Sequence, residues 1–436
     1  MVRVIGSLEE LDEKIAECEA TLSMSDRQRL FSSFAMQWSP QSKDPFSSEY
    51  RDEQLSLYRR ITGKKYDVAH EVSNFDLDAA TARPFPYASL DPETVGTQTI
   101  AVGTILRKLA DVPRGGRILE FGPGWGNTTL AMALTGYRVT AVDIEEKFCE
   151  LIRRRATQNE VDIEVINGDF MWAETVTEPY DAVVFFECFH HCDDHMRLLR
   201  ALDKVIKPGG RIIFAGEPIG PAFPMPWGLR LDGEALWAIR SRGWLELGFN
   251  DRYFRNALES LGWTVTLHES GETFIANVWE CRRLAEYTIE IPANDPQIGA
   301  PQASQTERGI VVEDLVKGWA FCGPFCHLPK GRWRGIVKLD TTAEQWGFGV
   351  LEVCHGKSAT VLNSVDARLP SETFEIAFDL AEPVDQLQIR FFASKRSTFI
   401  VSSFVIMPDN TPPHEAEDHS QQSNERRPSW FRRLVR

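Results

Sequence analysis

The chain contains no apolar run of the roughly eighteen residues that a membrane-crossing helix needs. Its opening, MVRVIGSLEELDEK, turns acidic at once instead of forming a leader. A cytoplasmic protein is therefore expected. A basic balance is missing too: the formal net charge is −15, which repels a phosphate backbone, and no basic stripe interrupts the folded part. Nucleic acid is thus not an expected partner. Paired CxxC spacing is also absent. The eight cysteines are scattered at 18, 149, 188, 192, 281, 322, 326 and 354, which leaves no zinc-binding motif. Cys322 and Cys326 in CGPFC permit a disulfide or half a metal site, but buried reduced thiols are the plainer reading. No internal repeat is found.

What is present divides by pattern. A length of 436 residues calls for two or three domains. Residues 1–114 read as a helical extension or lid: Ser7 and Glu10 have capping-box spacing, and a helical pattern over 51–62 stops at Gly63. Over 115–290, short apolar runs (RILEFG, YRVTAVD, DIEVING, YDAVVFFE, RIIFAGE) alternate with helical periodicity. That alternation predicts an α/β fold with a parallel sheet covered on both faces. WTVTLHES and TFIANVWEC then read as an antiparallel hairpin turning at Gly271. A polar stretch, 291–308, is expected to be a linker. Regularly spaced strands over 309–408 predict an all-β sandwich or jelly roll, and 409–436 a disordered tail.

One stretch carries the ligand question. In EFGPGWGN the glycines fall at 122, 124 and 126, after a strand and before a helix, and the next strand ends on Asp143, where a ribose would lie. Glu120 lies two residues before the first glycine. An acid there repels a pyrophosphate and suits a cationic sulfonium and ammonium, so S-adenosylmethionine is favoured over a dinucleotide.

These residues, with NGDFMW, YDAVVFFECFHH, KPGGRIIFAGEP and the closing hairpin, resemble the class I S-adenosylmethionine-dependent methyltransferases over 115–284. The resemblance implies a seven-stranded sheet with its last strand antiparallel. It also implies that Gly122, Gly124 and Gly126 admit the amino-acid end of S-adenosylmethionine, with Glu120 and Glu187 beside the cofactor. Asp143 would accept from both ribose hydroxyls. Asp169 would accept from the adenine amine, with Phe170 and Ile144 bracketing the ring; a plain turn residue is the other reading of Asp169.

Methyl transfer to a hydroxyl needs a base near the sulfonium, and His190 and His191 in ECFHHCDDH are the candidates, though packing around the cofactor explains an HH pair as well. A metal site of His190, His191, Asp194 and His195 is not expected, because neighbours entering a helix do not converge on one ion. The Asn/Asp-Pro-Pro-aromatic motif of many N-methyltransferases is replaced by ECFH, which favours an O-methyl acceptor. The Pro- and Gly-rich insertion after the fifth strand carries Trp227, Trp237 and Trp244 and reads either as an aromatic lid over a sugar or as self-packing. Glu217 and Arg230 are candidate acceptor contacts within it. Trp333 and Trp346 are candidate sugar-stacking residues of the β domain, for which a structural role serves equally. The tip NERRPSWFRRLVR suits peripheral contact with an anionic membrane, or else a disordered basic tail. Together these features resemble bacterial surface-polysaccharide methyltransferases and predict O-methylation of a saccharide. The alternatives are a small-molecule O-methyltransferase of secondary metabolism and a non-catalytic glycan-binding scaffold.

Overall fold

In a computed structural model, which describes residues 2–21, 24–284, 288–356 and 358–409, the chain divides into two units, Met1–Tyr287 and Thr288–Arg436. The main sheet of the first unit is built from β1 (Arg117–Phe121), β2 (Arg138–Asp143), β3 (Ile163–Asn167), β4 (Tyr180–Phe186), β5 (Ile206–Ala215), β6 (Trp263–His268) and β7 (Val278–Arg283). Their order is β6-β7-β5-β4-β1-β2-β3. β1 to β5 pair in parallel, and β7 runs antiparallel to both β5 and β6.

The central strands read as continuous apolar runs because both faces are covered. Successive side chains go to opposite sides. Leu119, Val183 and Ile212 join one core, while their neighbours Ile118, Val184 and Ile213 join the other. Helices supply the covers. Over His195–Val205, Leu198, Leu199, Leu202 and Val205 form one buried stripe, and Asp194 caps the start by accepting from the Arg197 N–H at 3.2 Å. Each such buried side chain contributes roughly 1.5–3 kcal/mol. The strand order reverses between β1 and β4, so a crevice opens at the carboxyl ends of these strands.

The N-terminal part packs into this unit. Helix Ser48–Thr62 starts on Ser47 and stops at Gly63, which adopts φ +75°. Its Tyr50 hydroxyl donates to the Trp227 carbonyl at 2.8 Å, and Trp227 Nε1 donates to the Pro45 carbonyl at 2.7 Å. The expected role of Trp227 and Trp237 as acceptor contacts is therefore corrected. Trp227 is buried under this helix, and Trp237 packs against Phe31 and beneath Arg242. Large rings bury more apolar area than any other side chain, and this insertion places them in its own core.

The second unit has one sheet of six strands and one of four. They face each other across Phe321, Phe374, Phe391, Phe399 and Phe404. Part of the expected linker 291–308 is sheet: Ile289–Pro292 pairs with Ser397–Pro408, and Ser304–Thr306 pairs with Gly309–Leu315. Trp333 is fully buried and donates to the Pro329 carbonyl, so it offers no face to a sugar. At the start of the expected tail, Asp409 accepts from Arg334; the basic tip lies outside the described residues. No helix among the described residues is long and apolar enough to cross a membrane. All eight cysteines are unbridged.

Candidate active site

At the crevice lies a cavity of about 480 Å³. Its floor is the turn after β1. Gly122 has φ +56°, and a Cβ there would stand 2.6 Å from the Cys188 Cβ, so only glycine lets the turn approach the end of β4. The Gly124 N–H donates to Asp143 Oδ2 at 3.0 Å, and the Glu145 N–H donates to Oδ1 at 2.8 Å. These bonds fix the carboxylate in plane at the end of β2 while each oxygen keeps a lone pair. Burial pushes the Asp143 carboxyl up to about 6, against the pull of those two N–H groups.

Gly122, Gly124, Asp143, Ile144, Asp169, Phe170, Glu187 and His191 all line the cavity. Asp169 does two things: it faces the cavity, and its Oδ1 accepts from the Met171 N–H at 2.8 Å, capping the turn that presents Phe170. Glu187 follows β4 with φ +52°, a strained backbone for a residue with a Cβ, and its carboxylate accepts from Gln98 at 3.1 Å.

Besides Trp227 and Trp237, five predicted contacts lie elsewhere. Gly126 starts the helix Asn127–Leu134, where a Cβ would meet Ile152 at 2.8 Å. Glu120 is 1% exposed and accepts from the Thr129 hydroxyl at 2.5 Å, tying β1 to the following helix. Burial pushes its carboxyl up to about 8 against that hydrogen bond, with Asp143 adding to the rise. A carboxyl kept neutral behind the wall cannot select a ligand by its charge, which corrects the argument built on Glu120. Arg230 is taken up by Asp232 at 3.0 Å and Glu246 at 3.6 Å. Glu217 is buried: its Oε1 accepts from the Cys188 and Phe189 N–H groups, and its Oε2 from the His190 N–H and Nδ1. His190 is therefore a buried partner of Glu217 outside the cavity wall.

The raised carboxyl of Glu120 has a pH signature. The folded state keeps a proton that the unfolded chain releases near 4.5, so stability falls as pH rises from 4.5 towards about 8. Heating scans from about pH 6 to about pH 9 should show a smaller fall in midpoint for Glu120→Gln than for the parent. Equal falls would remove this account.

The far wall comes from distant segments: Arg51, Tyr66, Val68, Glu71 and Ser73 on one side and Trp244 on the other. Tyr66, Glu71 and Trp244 meet at His191. Its Nδ1 lies 2.8 Å from the Leu245 carbonyl and 3.3 Å from Glu71, and the Tyr66 hydroxyl donates to its backbone carbonyl at 3.2 Å. Burial pulls the imidazolium down, but Glu71, with Glu246 and Glu217 behind it, outweighs this and holds it up at about 9. His191 is thus cationic at neutral pH, which corrects the reading of it as a ready base. The ground for expecting no metal also changes. Both histidines sit on the short turn Phe189–His191, before the helix, and one ring nitrogen of each lies with a Glu246 oxygen inside a 4.8 Å span. His195 points away, its Nε2 2.8 Å from the Tyr253 hydroxyl, and Asp194 caps its helix and pairs with Arg51.

The donor set fits an adenosine ligand: Asp143 offers a carboxylate at a strand end, Phe170 a ring face, and Gly122 a turn that only glycine can make. Residues 119–214 match a family model described as a methyltransferase domain. Among curated proteins, the chain is similar to 27-O-demethylrifamycin SV methyltransferase of Amycolatopsis mediterranei (strain S699), 29% identical over 40% of this chain and 63% of that protein. It is also similar to a ubiquinone biosynthesis O-methyltransferase of Pseudomonas savastanoi pv. phaseolicola (strain 1448A / Race 6), 33% identical over 23% of this chain and 44% of that protein. The chain thus spans less than two thirds of either relative. A solved structure titled PigF with SAH overlaps at a TM-score of 0.38 and 15% identity, covering 53% of this chain and 70% of its own, so it is alike in part only. The glycine turn and Asp143 both lie inside the matched segment, so residues 119–214 are a methyltransferase domain of the kind that model describes.

Proposed function

We propose that the protein O-methylates a hydroxyl-bearing acceptor and that this acceptor is a saccharide. The observation that carries the reading is the mixed lining of a single cavity. Asp143, Ile144, Asp169 and Phe170 line it together with Tyr66, Glu71, His191, Asp193, Asp194 and Trp244. Flat rings beside several acceptor-type side chains suit a sugar, which is apolar on its faces and rich in hydroxyls at its edge. Bound S-adenosylmethionine supplies an activated methyl group. The chain's own part is to hold the ribose through Asp143, exclude water through Phe170 and Trp244, and orient the acceptor hydroxyl at His191. Both curated relatives are named as methyltransferases, and the ubiquinone one as an O-methyltransferase, which supports oxygen as the acceptor atom. The facing sheets of the second unit are read as a sandwich-type accessory module for the same acceptor.

The likeness to the rifamycin enzyme favours a second reading, a small-molecule O-methyltransferase of secondary metabolism. Incubating the full chain with S-adenosylmethionine and separate panels of saccharides, phenols and amines, and reading S-adenosylhomocysteine release with the acceptor mass, decides between them. Saccharides are expected to gain one methyl. Gain by phenols alone would replace the first reading with the second, and gain by amines alone would overturn both.

A further inference from the structure

We propose that His190, His191 and Glu246 form a binding site for one divalent transition-metal cation of the zinc class. One nitrogen from each ring and one carboxylate oxygen lie within 4.8 Å of one another, a spread that a small cation can draw together. The hydrogen bonds around them say which nitrogens are available. A carbonyl can only accept, so His191 Nδ1, 2.8 Å from the Leu245 oxygen, carries a proton. His190 Nδ1 is engaged by Glu217 Oε2 at 2.8 Å. That leaves His190 Nε2, which stands 3.6 Å from Glu246 Oε2, longer than a hydrogen bond, and the imidazolium of His191 gives up its second proton when a cation binds. Imidazoles whose Nδ1–H groups are held by a carboxylate and by a backbone carbonyl have the outer support that metal-binding histidines use.

Charge points the same way. Glu71, Glu217 and Glu246 face the two rings, and Arg230, the guanidinium beside Glu246, is shared with Asp232 and Glu234. Five carboxylates thus share one fixed positive charge and two imidazoles, and a dication meets much of the deficit. Two nitrogens and one carboxylate oxygen match the preference of zinc-class ions over magnesium or calcium, which prefer oxygen alone. Ligand spacing in the sequence does not reveal this set, since Glu246 lies far along the chain from the histidine pair. Because His191 also lines the cavity, a cation held there would put Lewis acidity beside the acceptor end; that consequence rests on the proposed function, whereas the site itself does not.

The test uses the full chain, freed of metal with a chelator and titrated with Zn²⁺ alone and with Co²⁺ alone. One equivalent should bind, with visible ligand-field absorption for Co²⁺. Glu246→Gln and His191→Gln should each weaken binding at least about 10-fold, with circular dichroism confirming the fold. Arg230→Gln, which removes a competing positive charge without removing a ligand, should bind as tightly or more so. No stoichiometric binding by the parent, or unchanged binding by both ligand variants, overturns the site, and protons then supply the charge instead. Calorimetry with S-adenosylmethionine on the metal-free chain keeps the two readings apart: cofactor binding without metal binding removes this inference alone.

Discussion

Asp143→Ala is expected to bind S-adenosylmethionine about 10–150-fold more weakly than the parent, a loss of roughly 1.5–3 kcal/mol for hydrogen bonds to a charged acceptor. The carboxylate is 6% exposed and held by the N–H groups of Gly124 and Glu145. It therefore meets a ribose already ordered. Its carboxyl titrates near 6 in the free protein, and a protonated acid has less to offer two hydroxyl donors. Affinity in the parent should accordingly fall as pH drops below about 6, and in Asp143→Ala that dependence should vanish. Isothermal titration calorimetry across this range measures both. Parent-like affinity in the variant would retire Asp143 as the ribose ligand.

The largest expected effect on stability belongs to Glu217→Ala. The carboxylate is 2% exposed and accepts from three backbone N–H groups and from His190 Nδ1. Burial pushes its pKa up, but His190 and those N–H groups outweigh it and hold the carboxyl below the usual range. A lowered folded-state pKa means that this stabilisation is present above the unfolded value near 4.5 and is lost as pH falls through the folded one. Truncation leaves three buried donors and an imidazole without their acceptor, which costs about 3–5 kcal/mol. Urea unfolding at neutral pH checks this, and a change under about 1 kcal/mol would show that water replaces the carboxylate.

The cofactor end is legible in the sequence because its determinants are local. Gly122, Gly124 and Asp143 lie within one strand-turn-helix-strand unit, where spacing encodes geometry. The acceptor end is not, because Tyr66, Glu71 and Trp244 reach His191 from segments far apart in the chain. No periodicity joins them. Glu246 does leave a trace. It is an acid inside the apolar run WLELGF, and a 7% exposed carboxylate there needs a partner. Glu217 is misread in the sequence as an acceptor contact for the opposite reason: its loop is rich in proline and glycine, a composition that suggests exposure, yet the side chain turns inward to collect N–H donors.

The division of the cavity wall has an evolutionary corollary. The segment recognised by the family model, 119–214, contains Asp143 and both histidines, but Arg51, Tyr66, Val68, Glu71, Ser73 and Trp244 all fall outside it. If the proposed function holds, part of the acceptor wall thus lies in sequence outside the matched segment, which can drift or be exchanged while that segment stays constant. Two homologues alike across the chassis need share no common target, and a chimera that trades these flanks would be the way to retarget the enzyme.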